Sequence, residues 1–153
     1  MKYYDYAIVF AEIPDEITIA LDITSCPHMC KNCHSPWLRE DKGIEVTQEE
    51  LKKIVKKYPG ATCICFMGGD ANIDDVYKYS KWIHNNLKLK TAMYSGNEEL
   101  DLKLLGELDY YKIGPYIEKK GPLNDPNTNQ IMYKKAGDTH VDITYRFQEK
   151  PFK

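Results

Sequence analysis

Short apolar runs alternate with amphipathic stretches from residue 17 to residue 113, and this rhythm limits the fold more than any other feature of the chain. Residues 17–23 (ITIALDI), 62–67 (TCICFM), 89–94 (LKTAMY) and 109–113 (DYYKI) are β-branched or apolar and read as strands. Between the first two, Thr47 and Glu50 have the spacing of a capping box. Leu51, Ile54, Val55 and Tyr58 then recur at helical spacing until Pro59-Gly60 ends the helix. A second helix is predicted over 72–87, with Val76, Tyr79, Ile83 and Leu87 on one face, and a third where Leu100, Leu104 and Leu108 recur. Further on, Val141, Ile143, Tyr145 and Phe147 alternate as in a late edge strand.

Strands alternating with helices imply right-handed crossovers and a mostly parallel α/β sheet. A closed eight-fold barrel needs roughly 250 residues, and this chain has 153. Two architectures remain: a flat, doubly wound sheet, or a curved part of a barrel left open on one side. Both gather ligands at the carboxyl ends of the strands. Two unusual stretches follow strands directly and should meet on that rim. One is SCPHMCKNCHSPW, from Ser25 to Trp37; the other is Gly68-Gly69-Asp70.

Composition narrows the function classes. A net charge of −2 gives no attraction to nucleic acid or to a membrane surface. No apolar run approaches the ~20 residues of a membrane span, and MKYYDYAIVF lacks the pattern of a secretory leader. The expected location is the cytoplasm. In that reducing setting five cysteines point to metal or redox chemistry instead of disulfides.

Cys26, Cys30 and Cys33 lie within eight residues. Thiolates are soft ligands suited to zinc and to iron–sulfur clusters. With His28 or His34 they would complete a Cys3His zinc site, as in a non-catalytic α/β binding module. On a four-iron cluster, three protein thiolates would instead leave one iron open to another ligand. Gly68 and Gly69 suit a backbone that must approach a ligand closely, and the Asp70 carboxylate could hold an ammonium group. The same residues could also form a plain strand-to-helix turn capped by Asp70 or Asn72.

The cysteine spacing is that of the radical S-adenosylmethionine superfamily, and CPHMCKNCHSPWL more closely resembles the activating proteins of anaerobic ribonucleotide reductase. FMGGD at 66–70 is similar to that superfamily's glycine-rich, methionine-binding motif. AMYSG at 92–96 resembles a later strand end, and YYKIGPYIEKKGPLNDPNTNQIMY at 110–133 resembles the family's C-terminal region. The resemblance implies a short, open partial (β/α) barrel in one domain, with a core of about 8–133 and a C-terminal extension of about 134–153. It implies a [4Fe–4S] cluster on Cys26, Cys30 and Cys33, and S-adenosylmethionine on the remaining iron. One electron would cleave the cofactor to methionine and a 5′-deoxyadenosyl radical, which takes a hydrogen from a glycine α-carbon. The implied partners are the large subunit of anaerobic ribonucleotide reductase and a flavodoxin or ferredoxin as electron donor. Another glycyl-radical enzyme, or a small molecule, is the alternative target.

Carried onto this sequence, the cofactor-binding residues are Gly68, Gly69 and Asp70, with Tyr94 and Ser95 at the next strand end. His34 is placed to pack on the adenine, because Asn32 stands where much of the superfamily has an aromatic residue. Cys63 and Cys65 share a strand face and read as buried small apolar residues. Asp109 and Lys112 bracket a strand end, where Lys112 reads as a surface ion pair. The turn-rich stretch 121–130 (GPLNDPNTNQ) could border the opening through which a partner's glycine loop enters. Many activators carry Gly-Pro-Gly before the first core strand; here the text is AEIPDEITIALDI.

Overall fold

The computed structural model describes residues 1–28 and 36–148. Among the described residues, eight strands form one sheet: β1 (Lys2–Val9), β2 (Thr18–Ile23), β3 (Ile44–Glu45), β4 (Cys63–Met67), β5 (Lys90–Tyr94), β6 (Tyr110–Ile113), β7 (Ile131–Ala136) and β8 (Thr139–Asp142). The helices are α1 (Gln48–Lys57), α2 (Ile73–Asn86) and the single-turn α3 (Leu102–Leu105). The strand order is β3-β1-β2-β4-β5-β6-β7-β8. Among the described residues the sheet is open, since its ends β3 and β8 do not pair.

The four central strands β2, β4, β5 and β6 run parallel. The flanking pairings are all antiparallel, so the sheet is mixed and the expectation of a mostly parallel sheet is corrected. The connections explain the difference. Parallel neighbours need a crossover of a dozen or more residues, whereas antiparallel neighbours need only a tight turn. α1 and α2 supply such crossovers between β2 and β4 and between β4 and β5. β7 and β8 are joined by Gly137-Asp138 alone, with Gly137 at φ +61°. The link from β6 to β7 carries no helix and returns the chain antiparallel.

Alternation along the strands sorts side chains to two faces. Ile19, Leu21, Ile23, Ile64, Phe66, Met93 and Tyr111 pack under Leu51 and Ile54 of α1, Val76, Tyr79 and Ile83 of α2, and Leu104 of α3. The opposite face buries Cys63, Cys65, Ala92, Tyr110 and Met132 beneath Ile13, Leu123 and Ile143, all from segments outside the helices. Among the described residues the α-helices therefore lie on one face only, unlike a doubly wound arrangement.

Local details depart from the pattern reading where a side chain finds a better partner. The Thr47 hydroxyl accepts from the Glu50 N–H at 3.1 Å, as the capping box requires. The Glu50 carboxylate, however, accepts from the Tyr3 hydroxyl at 2.8 Å. The alternation 141–147 does not continue as a strand. Asp142 accepts from both the N–H and the hydroxyl of Thr144, which ends β8 and starts a 3-10 turn over Thr144–Phe147.

At the amino ends of the central strands, His84 near the end of α2 lies 2.8 Å from Asp109 and 3.2 Å from Glu107. The bond to Asp109 raises the His84 pKa above its ordinary value, against the effect of partial burial. Burial pushes the Asp109 carboxyl up, but hydrogen bonds from His84 and the Thr91 N–H outweigh it and hold the pKa low. A histidine with a raised folded pKa stabilises fully below its unfolded value of ~6.5, and that contribution is lost as pH rises through the folded value. The melting temperature of the wild-type chain is expected to fall across that interval in calorimetry, while His84→Gln flattens the slope. Parallel slopes for the two proteins would remove His84 from the account.

Candidate metal and cofactor centre

The register across the parallel strands sets the site. Asp22 of β2 pairs with Met67 of β4, Met67 with Tyr94 of β5, and Tyr94 with Lys112 of β6. All four side chains line one cavity of about 210 Å³ at the carboxyl ends of these strands. The loops that follow close it, contributing Cys26, His28, Gly68, Asp70, Ser95 and Gly114. The described start of the stretch after β2 thus meets the stretch after β4, and the end of β5 joins them.

The cysteine stretch begins two residues beyond β2, and its first cysteine lies three beyond. Its first part is fixed by backbone bonds: the Ser25 N–H donates to the Glu40 carbonyl at 3.2 Å and the Cys26 N–H to the Leu38 carbonyl at 2.8 Å. Ser25 takes a left-handed conformation, with φ +62°. The Cys26 thiol is half-buried and opens into the cavity. Cys30, Cys33, His34 and Asn32 lie outside the described residues. Cys63 and Cys65 are fully buried on β4, where burial pushes both thiols well up. Among the described residues no group of three or more His, Cys, Asp or Glu side chains could hold a metal.

Gly68 and Gly69 sit at φ +104° and +108°, a region L side chains rarely adopt. The Gly68 N–H donates to the Tyr94 carbonyl at 3.0 Å, tying the two strand ends together. A Cβ on Gly69 would come within 2.9 Å of Val76, so this glycine also lets α2 pack closely. Gly68 lines the cavity, and Gly69 packs beneath it.

Asp70 does not cap α2. Its side chain is 3% exposed, and both oxygens are shared among protein donors. Oδ1 accepts from the Ser95 hydroxyl at 2.6 Å and Asn97 Nδ2 at 3.3 Å; Oδ2 takes the Gly96 N–H at 2.9 Å and lies 2.6 Å from His28 Nε2. Ser95 is fully buried, its hydroxyl also accepting from the Asn97 N–H. Asn72 holds the N-cap position of α2 without a side-chain cap bond.

Lys112 is not a surface residue. It is 7% exposed and donates to the carbonyls of Ser95 at 2.9 Å and Gly114 at 3.0 Å. Asp109 pairs with His84 at the opposite end of the sheet. The ammonium of Lys112 stands 5.5 Å over the Tyr94 ring. Burial raises the Tyr94 pKa, and its hydroxyl donates to the Glu12 carbonyl. Asp22, which the strand pattern alone did not single out, has its pKa raised by burial and then by Asp5. Its signal was positional: a carboxylate on the strand face that otherwise carries Thr18 and Ala20, four residues before Cys26. Tyr94 and Gln130 also border a second, larger cavity of about 610 Å³, lined by Phe10, Pro122, Leu123 and Phe147 among others.

The chemistry of the donor set fits an iron–sulfur centre: a cysteine lining a cavity that Gly68 also lines, and two more thiols following in sequence. No helix among the described residues is long and apolar enough to cross a membrane. No curated protein matches the chain, and no solved structure does. A family model described as a 4Fe–4S single cluster domain matches residues 17–129, from the start of β2 to the approach to β7. With well over half of its length matched, and the cysteine stretch inside the match, this chain is an iron–sulfur protein that belongs to the 4Fe–4S single cluster domain family.

Proposed function

We propose that the chain is a radical S-adenosylmethionine activating enzyme that generates a glycyl radical on anaerobic ribonucleoside-triphosphate reductase. The observation that carries this reading is the meeting of Cys26, Gly68 and the ends of four parallel strands around one cavity. Cys26, Cys30 and Cys33 would hold a [4Fe–4S] cluster, and S-adenosylmethionine would take the fourth iron. When bound, the pair supplies reductive cleavage of the cofactor to methionine and a 5′-deoxyadenosyl radical.

The protein's part is position and exclusion of water. The open sheet with helices on one face serves as a short barrel wall, with the cofactor at its rim. The backbone at Gly68 gives close approach without a side chain, and Tyr94 walls the cavity on the side of the larger one. Lys112 and Asp22 place charges of opposite sign at the two ends of the row that faces the cofactor. The larger cavity, bordered by Pro122, Leu123 and Asn124, is where a glycine loop of the reductase large subunit would enter and shut out solvent. A flavodoxin or ferredoxin in the cytoplasm would supply the electron.

Anaerobic incubation with the reductase, S-adenosylmethionine and a low-potential reductant tests the reading. A glycyl signal in electron paramagnetic resonance, with methionine released, is expected. Methionine release with no signal on the reductase would redirect the activity to another glycyl-radical enzyme. A colourless protein holding one zinc would end the proposal.

A further inference from the structure

The carboxylate of Asp70 is engaged at four contacts, with His28, Ser95, Gly96 and Asn97. One of those partners, His28, stands between Cys26 and Cys30 in sequence. We propose that Asp70 and His28 form a clamp that fixes the start of the metal-binding loop, Cys26 to His28, against the sheet, making Asp70 a positioning residue for the Cys26 thiol. This rests on the reading that the cluster sits on Cys26, Cys30 and Cys33.

Three independent contacts define the clamp. His28 Nε2 lies 2.6 Å from Asp70 Oδ2, the oxygen that also takes the Gly96 N–H at 2.9 Å. The His28 ring lies flat against Gly96: a Cβ at that position would fall 2.7 Å from Cδ2 and 2.9 Å from Nε2 of the ring. Gly96 has no left-handed backbone to justify a glycine, so close approach of His28 is what the residue accommodates. On the other side, Arg39 Nε donates to the His28 carbonyl at 3.2 Å. The residue is thus held through its side chain by the end of β5 and the loop after β4, and through its backbone by the turn Pro36–Arg39.

Loops lose conformational freedom when they bind a metal, and a preformed loop loses less. Partners that orient first ligands typically change metal affinity 10–100-fold when removed. With Asp70 buried and bonded on both oxygens, it can hold His28 without being pulled toward solvent.

The test compares wild type, His28→Ala, His28→Gln and Gly96→Ala. Iron and sulfide per chain are measured after anaerobic reconstitution, then the rate of iron loss to a colorimetric chelator, and the melting temperature of the apo chains. His28→Ala is expected to lose iron about ten-fold faster than wild type with an apo melting temperature close to it. His28→Gln, whose amide can still donate to Asp70, should recover most of that loss. Gly96→Ala should behave like His28→Ala because its methyl displaces the ring. Iron loss from His28→Ala at the wild-type rate would overturn the clamp and leave the cluster standing. A wild-type chain that takes up neither iron nor sulfide would overturn the cluster reading and the clamp with it.

Discussion

Cys26→Ala is expected to yield a folded chain that does not retain a cluster. The backbone of Cys26 is fixed independently of its side chain, by the N–H bond to Leu38 and the neighbouring Ser25–Glu40 bond. The thiol belongs to neither apolar cluster and opens into the cavity. Its removal therefore costs little packing, within the ~0.5 kcal/mol typical of substitutions away from the core. It does remove one of the three thiolates proposed to hold the cluster, and two cannot hold a four-iron cluster firmly. Iron and sulfide per chain should fall more than about ten-fold, beyond the lower bound for loss of a mere supporting contact. Far-ultraviolet circular dichroism and the apo melting curve should overlay those of the wild type. Cys63→Ala makes the contrast: it is fully buried on β4, so it should keep its iron and lose stability instead. Full iron loading in Cys26→Ala would take this thiol, and the whole site with it, out of the metal chemistry.

The parallel centre of the sheet was legible because each of its strands is an apolar run bounded by turn residues. Residues 62–67, ending at Gly68, match β4 closely, and α2 stops within a residue of its predicted ends. The flanks were not legible, for a physical reason. β1 (KYYDYAIV) and β7 (IMYKKA) lie outside the crossover units, and their burial comes from long-range pairing with β2 and β6. Their side chains are only partly buried, so a periodic signal is diluted. α3 shrank to one turn because Asp101 caps it and Gly106 ends it, leaving Leu100 and Leu108 outside. At the site, the meeting of the cysteine stretch with Gly68 followed from strand direction alone. The partner of Asp70 did not, because nothing in local spacing links residue 70 to residues 28, 95 and 96. Lys112 was misplaced for a similar reason. A lysine between Tyr111 and Ile113 looks like an exposed strand position, and only the bend at Gly114, with φ +102°, turns a carbonyl back to receive it.

Phe66→Ala is expected to destabilise the chain by about 3–5 kcal/mol, a large share of the roughly 5–15 kcal/mol that holds a domain of this size. Phe66 is fully buried at the middle of the sheet, paired in register with Leu21 on one side and Met93 on the other. Above it lie the helices, and all these neighbours are themselves held by secondary structure, so the vacated space has little means to collapse. Phe66→Leu retains most of the volume and should lose less than half as much. Denaturant unfolding of the apo proteins distinguishes them: the midpoint should drop with unchanged slope if both remain two-state. The strand also links stability to the site, because β4 leads directly into Gly68 and Gly69, and Met93, against which a Gly69 Cβ would rest at 3.6 Å, is a register partner of Phe66. A cavity there should loosen the rim as well as the core. The rise in melting temperature on cluster loading, which reports how well the folded site holds its ligand, is therefore expected to be smaller in Phe66→Ala than in wild type. A loss below about 1 kcal/mol, or an undiminished rise on loading, would mean that the rim is braced by the loops around Asp70 alone and takes no support from the core beneath it.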